Sequence, residues 1–374
     1  MTSHVFDVVV LGAGIVGAAC ARECALAGLR VAVVEPGVPG GAASAAGMGH
    51  VVVMDDSPAQ LALSRLGRDL WQQLRPNLPT TVEYEERGTL WIASDDEEMQ
   101  EVHAKRATYA GIGVDSEVLD AQAVAAAEPN LRPGLAGGLR VPQDAVIYPP
   151  AAARFFLDEA LRLGGVLLRN RRAAQAAHGE VLLSDGTRLS ARFILIASGT
   201  DTRLLPWLPI KPRKGHLVIT DRYPEFVHHQ LVELGYLKSA HSVSADSVAF
   251  NVQPRKTGQL LLGSSRQYGD VDPAITPAIL KRMIDRATEY LPALHDLSVI
   301  RAWTGFRAST PDKLPLIGPT EDPSIHLAVG FEGLGITNAP AAARLAVDHL
   351  LSRTSSIDAT PYLSERFAKE AAAA

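Results

Sequence analysis

Three glycines and one acid near the N-terminus have the spacing of a site for a phosphate-bearing ligand. Gly12, Gly14 and Gly17 follow the apolar run VVVL, and Glu35 ends a second apolar run, VAVVE. Such glycines permit a tight turn, a close approach of backbone to a pyrophosphate, and close packing of a helix on a strand. The helix N-terminus favours phosphate, while the acid accepts hydrogen bonds from ribose hydroxyls and would repel a 2′-phosphate. The pattern therefore predicts a dinucleotide site that disfavours NADP; the alternative is a purely structural glycine turn.

Other candidate residues lie in a small-residue loop and in one polar strand. The loop, GGAASAAGMGH, ends at His50, and its glycine and alanine content indicates backbone lying against something flat or bulky. His50 could face a substrate or be merely solvated. Asn251 and Gln253 alternate with apolar residues and would share one face of a strand, as a pocket wall or a solvent face. Tyr236 and Tyr148 are aromatic candidates for a pocket wall.

Strand and helix signals place these residues in a larger pattern. Residues 5–37 have the periodicity of a β–α–β unit, and buried strands are predicted at 192–199 and 325–330. Four strands are predicted to form one antiparallel sheet: 215–220, 231–237, 247–254 and 259–264. The other predicted elements are helices at 58–75, 149–164, 275–291 and 338–351, strands at 82–93, 112–118 and 165–169, and a hairpin at Asp185–Gly186.

The nucleotide-binding pieces therefore occur early, midway and late in the chain. This order predicts an α/β fold in which a Rossmann-like domain is discontinuous and a substrate domain, built on the antiparallel sheet, is inserted. The predicted boundaries are 1–80, 140–213 and 301–374 for the Rossmann-like domain, and 81–139 and 214–300 for the substrate domain.

Length and composition exclude several classes of protein. The 374 residues suit two domains, 47% are hydrophobic, and the net charge of −5 argues against a nucleic-acid partner. No signal peptide or run of eighteen apolar residues is recognisable, so a cytoplasmic protein is expected, with a peripheral membrane contact left open. Cys20 and Cys24 lie one helical turn apart, which suits packing better than a disulfide. No metal site is predicted.

Three further motifs make the pattern specific: ILIASG (194–199), WTGFRASTPDKLPLIG (303–318) and GFEGLGITNAP (330–340). In this order they resemble the flavin amine oxidoreductases of the D-amino-acid oxidase type, which include glycine oxidase, sarcosine oxidase, D-amino-acid dehydrogenase and D-hydroxyproline dehydrogenase. The resemblance covers nearly the whole chain. It implies FAD, with the flavin ring between the two domains. Because no cysteine follows Cys24, a cysteinyl-flavin in the C-terminal half is excluded, and non-covalent FAD is expected.

The resemblance also assigns roles to residues. Arg307, in the tryptophan–glycine–arginine strand, would grip the substrate carboxylate and border the flavin, because its planar fork meets both oxygens. His50, Asn251, Gln253 and Tyr236 join it as substrate-site candidates. The expected FAD-binding residues are Gly12, Gly14, Ile15, Val16, Gly17, Glu35, Pro36, Ala43, Ser44, Ala45, Gly47, Met48, Gly49, Ala197, Ser198, Gly199, Arg307, Gly330, Gly333, Leu334, Gly335, Ile336 and Thr337.

The implied activity is the oxidation of a D-amino acid, or of a cyclic secondary amino acid such as D-proline or D-hydroxyproline, by hydride transfer to flavin N5. A glycine- or sarcosine-type oxidase that makes peroxide, an electron-transfer flavoprotein subunit with a vestigial site, and a nicotinamide enzyme are the alternatives. Glycine oxidase has an arginine where Gly333 stands, whereas D-amino-acid dehydrogenases have a leucine–glycine–tryptophan–threonine run where Leu334–Thr337 stand, so this chain resembles the dehydrogenases more closely there. Sarcosine oxidase has an oxygen-activating lysine in the strand LLLG (260–263), and its absence here also favours a dehydrogenase. The electron acceptor (a quinone, a dye or oxygen), a partner subunit and a homo-oligomer are left open.

Overall fold

Two large sheets form the frame of the molecule. The computed structural model describes residues 6–235 and 246–367, and within these ranges the strands form two eight-stranded sheets, here called sheets A and B, and one two-stranded sheet. The strands of sheet A are β1 (Phe6–Leu11), β2 (Val31–Glu35), β8 (Val166–Arg169), β9 (Ala173–Ala177), β10 (Glu180–Leu183), β11 (Arg188–Ile196), β17 (Leu316–Pro319) and β18 (Ile325–Val329). The strands of sheet B are β4 (Thr89–Ala93), β5 (Glu117–Asp120), β6 (Gly137–Val141), β12 (Lys211–Arg222), β13 (Gln230–Glu233), β14 (Ser247–Pro254), β15 (Gln259–Tyr268) and β16 (Val299–Ser309). The small sheet consists of β3 (His50–Val51) and β7 (Ala145–Val146).

Sheet A has a parallel centre, in which β1 lies between β2 and β11, and β18 lies beside β11. Its central strands are buried apolar runs, as expected when helices or loops cover both faces. The carboxyl ends of parallel strands meet at one edge, so the turns that follow β1, β2, β11 and β18 converge there. This edge brings the predicted early, middle and late cofactor segments together.

Helices rich in small residues cover one face of sheet A. They are α1 (Ile15–Leu26), α5 (Pro149–Arg162) and α7 (Gly335–Leu350), and α2 (Pro58–Leu74) packs against α7. Alanine and glycine along α1 and α7 let the two helices approach closely, so most of their length is buried. Cys20 and Cys24 are both fully buried in α1 as free thiols, which confirms their predicted role in packing.

Sheet B has the strand order β16-β12-β15-β14-β13-β4-β6-β5. The four strands predicted to form an antiparallel sheet correspond to β12, β13, β14 and β15, and their pairs are all antiparallel, which confirms that prediction. The sheet also includes β4, which pairs with β13 in parallel because it enters from a distant segment rather than through a hairpin. The helix α6 (Pro277–Tyr290) covers one face of the sheet with an apolar cluster. The remaining helices, α3 (Asp96–Gly111) and α4 (Ala121–Ala127), lie beside the strands β4–β6.

Several element boundaries differ from the prediction. The strand expected at 82–93 is confined to β4, because Thr80–Val82 form a 3-10 turn and Glu83 and Gly88 have positive φ angles, which extended strands do not adopt. The strand expected at 112–118 is only β5. The last helix begins at Gly335 rather than at residue 338.

The predicted domain division is best compared with strand membership. The proposed boundaries at 139/140, 213/214 and 300/301 fall inside β6, β12 and β16, which all belong to sheet B. If the division follows strand membership, each boundary moves to an end of its strand. The whole of β6, β12 and β16 then belongs to the substrate domain. The division into an FAD-binding and a substrate domain itself stays a prediction.

Candidate functional site

The glycine turn between β1 and α1 is shaped by backbone contacts. Gly12 has a φ of +109°, and a Cβ there would lie 2.5 Å from the carbonyl oxygen of Ala197. A Cβ on Gly17 would lie 2.0 Å from the carbonyl oxygen of Gly12, so the helix can pack on the turn only without it. A Cβ on Gly14, in contrast, would meet only Ser44 Oγ, at 3.5 Å. The space in front of Gly14 is therefore open, as a pyrophosphate requires.

The start of α1 has free capacity for an anion. Its N-cap makes no side-chain hydrogen bond, and no acidic residue lies in its first turn. Ile15 N–H donates to Ser44 Oγ at 3.0 Å, which ties the small-residue loop to this helix end. Val16 and Gly17 follow in the same first turn. The helix start and the open space at Gly14 together fit the phosphates of a dinucleotide.

Glu35 is the last residue of β2, and its side chain also stabilises the glycine turn between β1 and α1. One carboxylate oxygen accepts a hydrogen bond from Ala13 N–H and the other from Gly37 N–H, both at 2.7 Å. A carboxylate oxygen has capacity for a further hydrogen bond, so Glu35 can also accept from a ribose hydroxyl. Pro36, beside it, is exposed.

The small-residue loop lies between sheet B and the start of α7. A Cβ on Gly47 would lie 2.8 Å from Ile336 Cδ1, and one on Gly49, whose φ is +100°, would lie 2.0 Å from the carbonyl oxygen of Ile147. Met48 accepts a hydrogen bond from Gln253 Nε2 on its carbonyl oxygen, at 2.6 Å, and its sulfur lies beside Gly263 of β15. Ala43 and Ala45 are exposed, whereas Ser44 is buried. Small side chains are needed here because Ile336 at the start of α7, the backbone of Ile147 and strands of sheet B lie close to the loop.

The turn after β11 contains the mid-chain candidates. Ala197 N–H donates to Leu11 O at 2.9 Å, and Ser198 Oγ donates to Asp201 O at 2.6 Å. Gly199 has a φ of +61° and faces open space. Ala197 and Ser198 lie beside Gly12 of the glycine turn, and the FAD-binding role of this segment stays a prediction.

The start of α7 contains the late candidates. The helix has no side-chain cap and no acid in its first turn, and Leu334 is its N-cap residue. Ile336 accepts a hydrogen bond from Trp71 Nε1 on its carbonyl oxygen, at 3.0 Å. Thr337 is fully buried; its hydroxyl donates to His50 O at 3.0 Å and accepts from Val52 N–H at 3.2 Å. The Thr337 side chain therefore holds the β3 segment, which leaves the backbone N–H groups of this helix start as its means of contacting a ligand.

Arg307 lies on the face of sheet B opposite α6. Its Nη1 donates to Ser265 O at 3.0 Å and lies directly over Gly215, where a Cβ would be only 2.3 Å from Nη1. A Cβ on Gly333, next to the start of α7, would lie 3.6 Å from Arg307 Nε. The guanidinium is therefore positioned between sheet B and the loop that begins α7, and Gly330 supports that loop with a φ of +79°.

Three polar side chains near the same face contain buried atoms without a partner among the described residues: His50 Nε2, Asn251 Oδ1 and Gln253 Oε1. Asn251 and Gln253 point away from the α6 side, where Phe250 and Val252 pack. Burial lowers the pKa of His50 to about 4, and the neighbouring Gln253 side chain partly offsets the decrease. Since buried polar atoms are normally satisfied, these atoms are suited to a bound molecule.

The two aromatic candidates were Tyr236 and Tyr148. Tyr236 lies outside the described residues. Tyr148 is 38% exposed and stacks with the guanidinium of Arg255, 4.7 Å from the ring centroid.

One buried charge cluster was missed by sequence reasoning. Arg213, 2% exposed, forms an ion pair with Glu332, donates to the Tyr268 hydroxyl at 3.0 Å and lies over the Tyr268 ring. Arg213 is also the cross-strand partner of Arg307. Glu332 stands inside the late motif GFEGLGITNAP, where an acid within a glycine-rich run was the available signal.

No helix in the two described ranges is both long enough and apolar enough to cross a lipid bilayer.

Comparisons with known proteins agree with this geometry. Glycine oxidase of Pseudomonas aeruginosa is 28% identical over 379 residues, which cover 95% of this chain and 97% of that protein. D-amino acid dehydrogenase of Rhodopseudomonas palustris is 26% identical over 325 residues, covering 83% and 74%. The crystal structure of glycine oxidase from Geobacillus kaustophilus superimposes with a TM-score of 0.86 at 24% identity, covering 96% of this chain and 98% of that one.

The family model of the DAO FAD-dependent oxidoreductases matches residues 7–349, a span that contains the glycine turn, Arg307 and the start of α7. The open cradle at Gly14 and the uncapped helix ends suit the cofactor of this family. The chain therefore belongs to the DAO family of FAD-dependent oxidoreductases, and it is an FAD-dependent enzyme.

Proposed function

We propose that the enzyme oxidises the carbon–nitrogen bond of an amino acid next to its carboxylate, and that its substrate is a D-amino acid or a cyclic secondary amino acid such as D-proline or D-hydroxyproline. The observation that carries this proposal is Arg307, whose guanidinium lies between sheet B and the loop that begins α7. FAD supplies the electron acceptor for such an oxidation.

The residues of the chain would hold the substrate in one orientation. The fork of Arg307 can meet both oxygens of a carboxylate, which fixes the rotation of the α-carbon. His50, Asn251 and Gln253 offer the buried atoms His50 Nε2, Asn251 Oδ1 and Gln253 Oε1 for further hydrogen bonds. Because His50 is neutral at pH 7, it can bind without adding charge. The FAD-binding roles of the residues predicted from the sequence belong to the same proposal.

The second candidate is a glycine- or sarcosine-type oxidase that produces hydrogen peroxide, which the 28% identical glycine oxidase favours. Leu261 supports the dehydrogenase instead. It is the cross-strand partner of Gln253, so it lies on the site face, where it is apolar and 3% exposed. Reoxidation of the reduced flavin, followed by stopped flow with dissolved oxygen and with a dye, separates the two: oxygen reacting at turnover speed would establish an oxidase.

The test of the substrate class is Arg307→Ala. Truncating a desolvated guanidinium–carboxylate pair costs on the order of 2–5 kcal/mol, so kcat/KM for the best amino acid should fall roughly 30- to 5000-fold. Arg307→Lys should restore only part of the activity, because an ammonium cannot form the fork. The loss should shrink for an amine that lacks a carboxylate. A kcat/KM of Arg307→Ala close to that of wild type on its best amino acid would refute the proposal.

A wild-type enzyme whose flavin no amino acid bleaches under nitrogen would favour a third possibility, an electron-transfer subunit with a vestigial site. The proposal includes a quinone, a dye or oxygen as the electron acceptor. It leaves open a partner subunit, a homo-oligomer and a peripheral membrane contact.

A further inference from the structure

Glu332 is a buried acid, and one of its carboxylate oxygens has no hydrogen-bond partner among the described residues. It lies in the loop between β18 and α7 with a φ of +55°, and its side chain is 10% exposed. One of its oxygens pairs with Arg213. The other, Oε2, is buried and has no hydrogen-bond partner within residues 6–235 and 246–367. An unpartnered buried carboxylate oxygen is costly, so a ligand that donates to it would be stabilised.

Three contacts hold this carboxylate beside Arg307. Glu332 N–H donates to the carbonyl oxygen of Ala308, the residue after Arg307, at 2.8 Å. A Cβ on Gly333, the residue after Glu332, would lie 3.6 Å from Arg307 Nε. The ion-pair partner Arg213 stands opposite Arg307 in the β12–β16 register, and directly opposed residues project from the same face of a sheet. Glu332 and Arg307 therefore lie next to each other on the same side of sheet B.

The two side chains are complementary to the two ends of an amino acid. A guanidinium attracts the carboxylate, and a carboxylate oxygen accepts a hydrogen bond from an N–H group next to it. Arg213 neutralises part of the Glu332 charge, which keeps the site from repelling the substrate carboxylate.

We propose that Glu332 Oε2 accepts a hydrogen bond from the substrate amino group while Arg307 holds the carboxylate, so that the site selects amino acids over carboxylic acids without an amine. This inference rests on the proposed function and adds the residue that recognises the nitrogen. Primary and secondary amino acids both carry an N–H group, so both can donate a hydrogen bond to Glu332 Oε2.

The experiment compares Glu332→Gln with wild type on two ligands of nearly the same shape. The binding of D-proline is measured by anaerobic reduction of bound FAD. The second ligand is tetrahydrofuran-2-carboxylate, which has oxygen in place of the N–H group, and its binding is measured by the change in the flavin spectrum. A hydrogen bond to a charged acceptor is worth about 10- to 100-fold in affinity. Glu332→Gln should weaken the binding of D-proline by that factor. The affinity for the oxygen analogue should stay the same or increase. If D-proline is not a substrate, the best amino acid and its 2-methoxy analogue, whose ether oxygen cannot donate a hydrogen bond, replace the pair.

Two variants separate recognition from a purely structural ion pair. Arg213→Met removes the partner of Glu332 but keeps its carboxylate, so it should not weaken the amine-bearing ligand selectively. Glu225→Gln is the matched control, since Glu225 also has a positive φ, +61°, but its side chain is 71% exposed. This variant should change the affinity for neither ligand. Should Glu332→Gln fail to fold, Glu332→Asp, which retracts the carboxylate, takes its place with the same expectation.

Equal weakening of both ligands by Glu332→Gln and Arg213→Met, or no selective loss in Glu332→Gln, would overturn the inference while leaving the proposed function intact. A wild-type flavin that no amino acid reduces would overturn both.

Discussion

The guanidinium of Arg307 occupies the space that a side chain on Gly215 would fill. A Cβ on Gly215 would lie 2.3 Å from Arg307 Nη1 and 3.0 Å from the carbonyl oxygen of Ser265, the group that Nη1 contacts. Gly215→Ala should therefore displace Arg307 without touching the glycine turn that is proposed to bind FAD. We expect KM for the amino acid to rise about 10-fold or more, with FAD still bound, measured by steady-state kinetics and the flavin absorbance.

Gly111→Ala is the control for this variant, because Gly111 also lies in a regular element and a Cβ there would meet nothing within 4 Å. Its kinetics should match wild type. Unchanged KM in Gly215→Ala would mean that Arg307 does not hold the substrate from this position.

Gly14→Val should prevent FAD binding while the protein folds. The Cβ position of Gly14 is open apart from Ser44 Oγ at 3.5 Å, so added methyl groups would enter the space proposed for the pyrophosphate. The purified variant should be colourless, and its far-ultraviolet circular dichroism should equal that of wild-type protein stripped of FAD. Full FAD occupancy in Gly14→Val would contradict the assignment.

His50 should make the protein less stable as the pH falls. Its folded pKa is about 4, lowered by burial, whereas an unfolded histidine titrates near 6.5. Between these values the unfolded chain binds the additional proton, so the free energy of unfolding decreases from about pH 6.5 down to about pH 4, by at most about 1.4 kcal/mol per pH unit. Urea unfolding at several pH values should show a shallower dependence in His50→Gln. An imidazole resonance of His50 that titrates near pH 6.5 in the folded protein would contradict this.

The sequence predicted the strands and turns of the proposed cofactor segments well, because each combines a strand, a glycine and a helix start in local order. It did not identify Arg213 and Glu332, which meet only through the pairing of β12 with β16 and the loop before α7. Nor could it show that Thr337 holds the β3 segment, since its partners, His50 O and Val52 N–H, are distant in the chain. Local patterns specify elements, whereas contacts between distant side chains depend on the assembled sheets.

Asp144 should have the opposite pH dependence to His50. It is fully buried, and burial raises its pKa to about 7, although Thr89 and the charge of Arg68, whose Nη1 lies 3.8 Å away, partly lower it. Between about pH 4 and pH 7 the folded protein binds the additional proton, so the free energy of unfolding decreases as the pH rises through this range. Asp144→Asn should remove this slope, because the amide of the same shape does not titrate. A wild-type stability that increases from pH 4 to pH 7 after the His50 contribution is subtracted would refute the assignment.

The order in which the ribosome makes the chain has a consequence for the cofactor half. The first strand and helix are synthesised early, yet β1 lies between β2 and β11, and α1 packs against α7, the last helix. The helix α5 also covers α1, but the surface that α7 covers must stay exposed until the last helix is made, and contacts of such large sequence separation slow folding. A chain released before residue 335 would lack α7 and leave that apolar surface of α1 exposed, so premature termination should yield aggregates rather than a shorter flavoprotein.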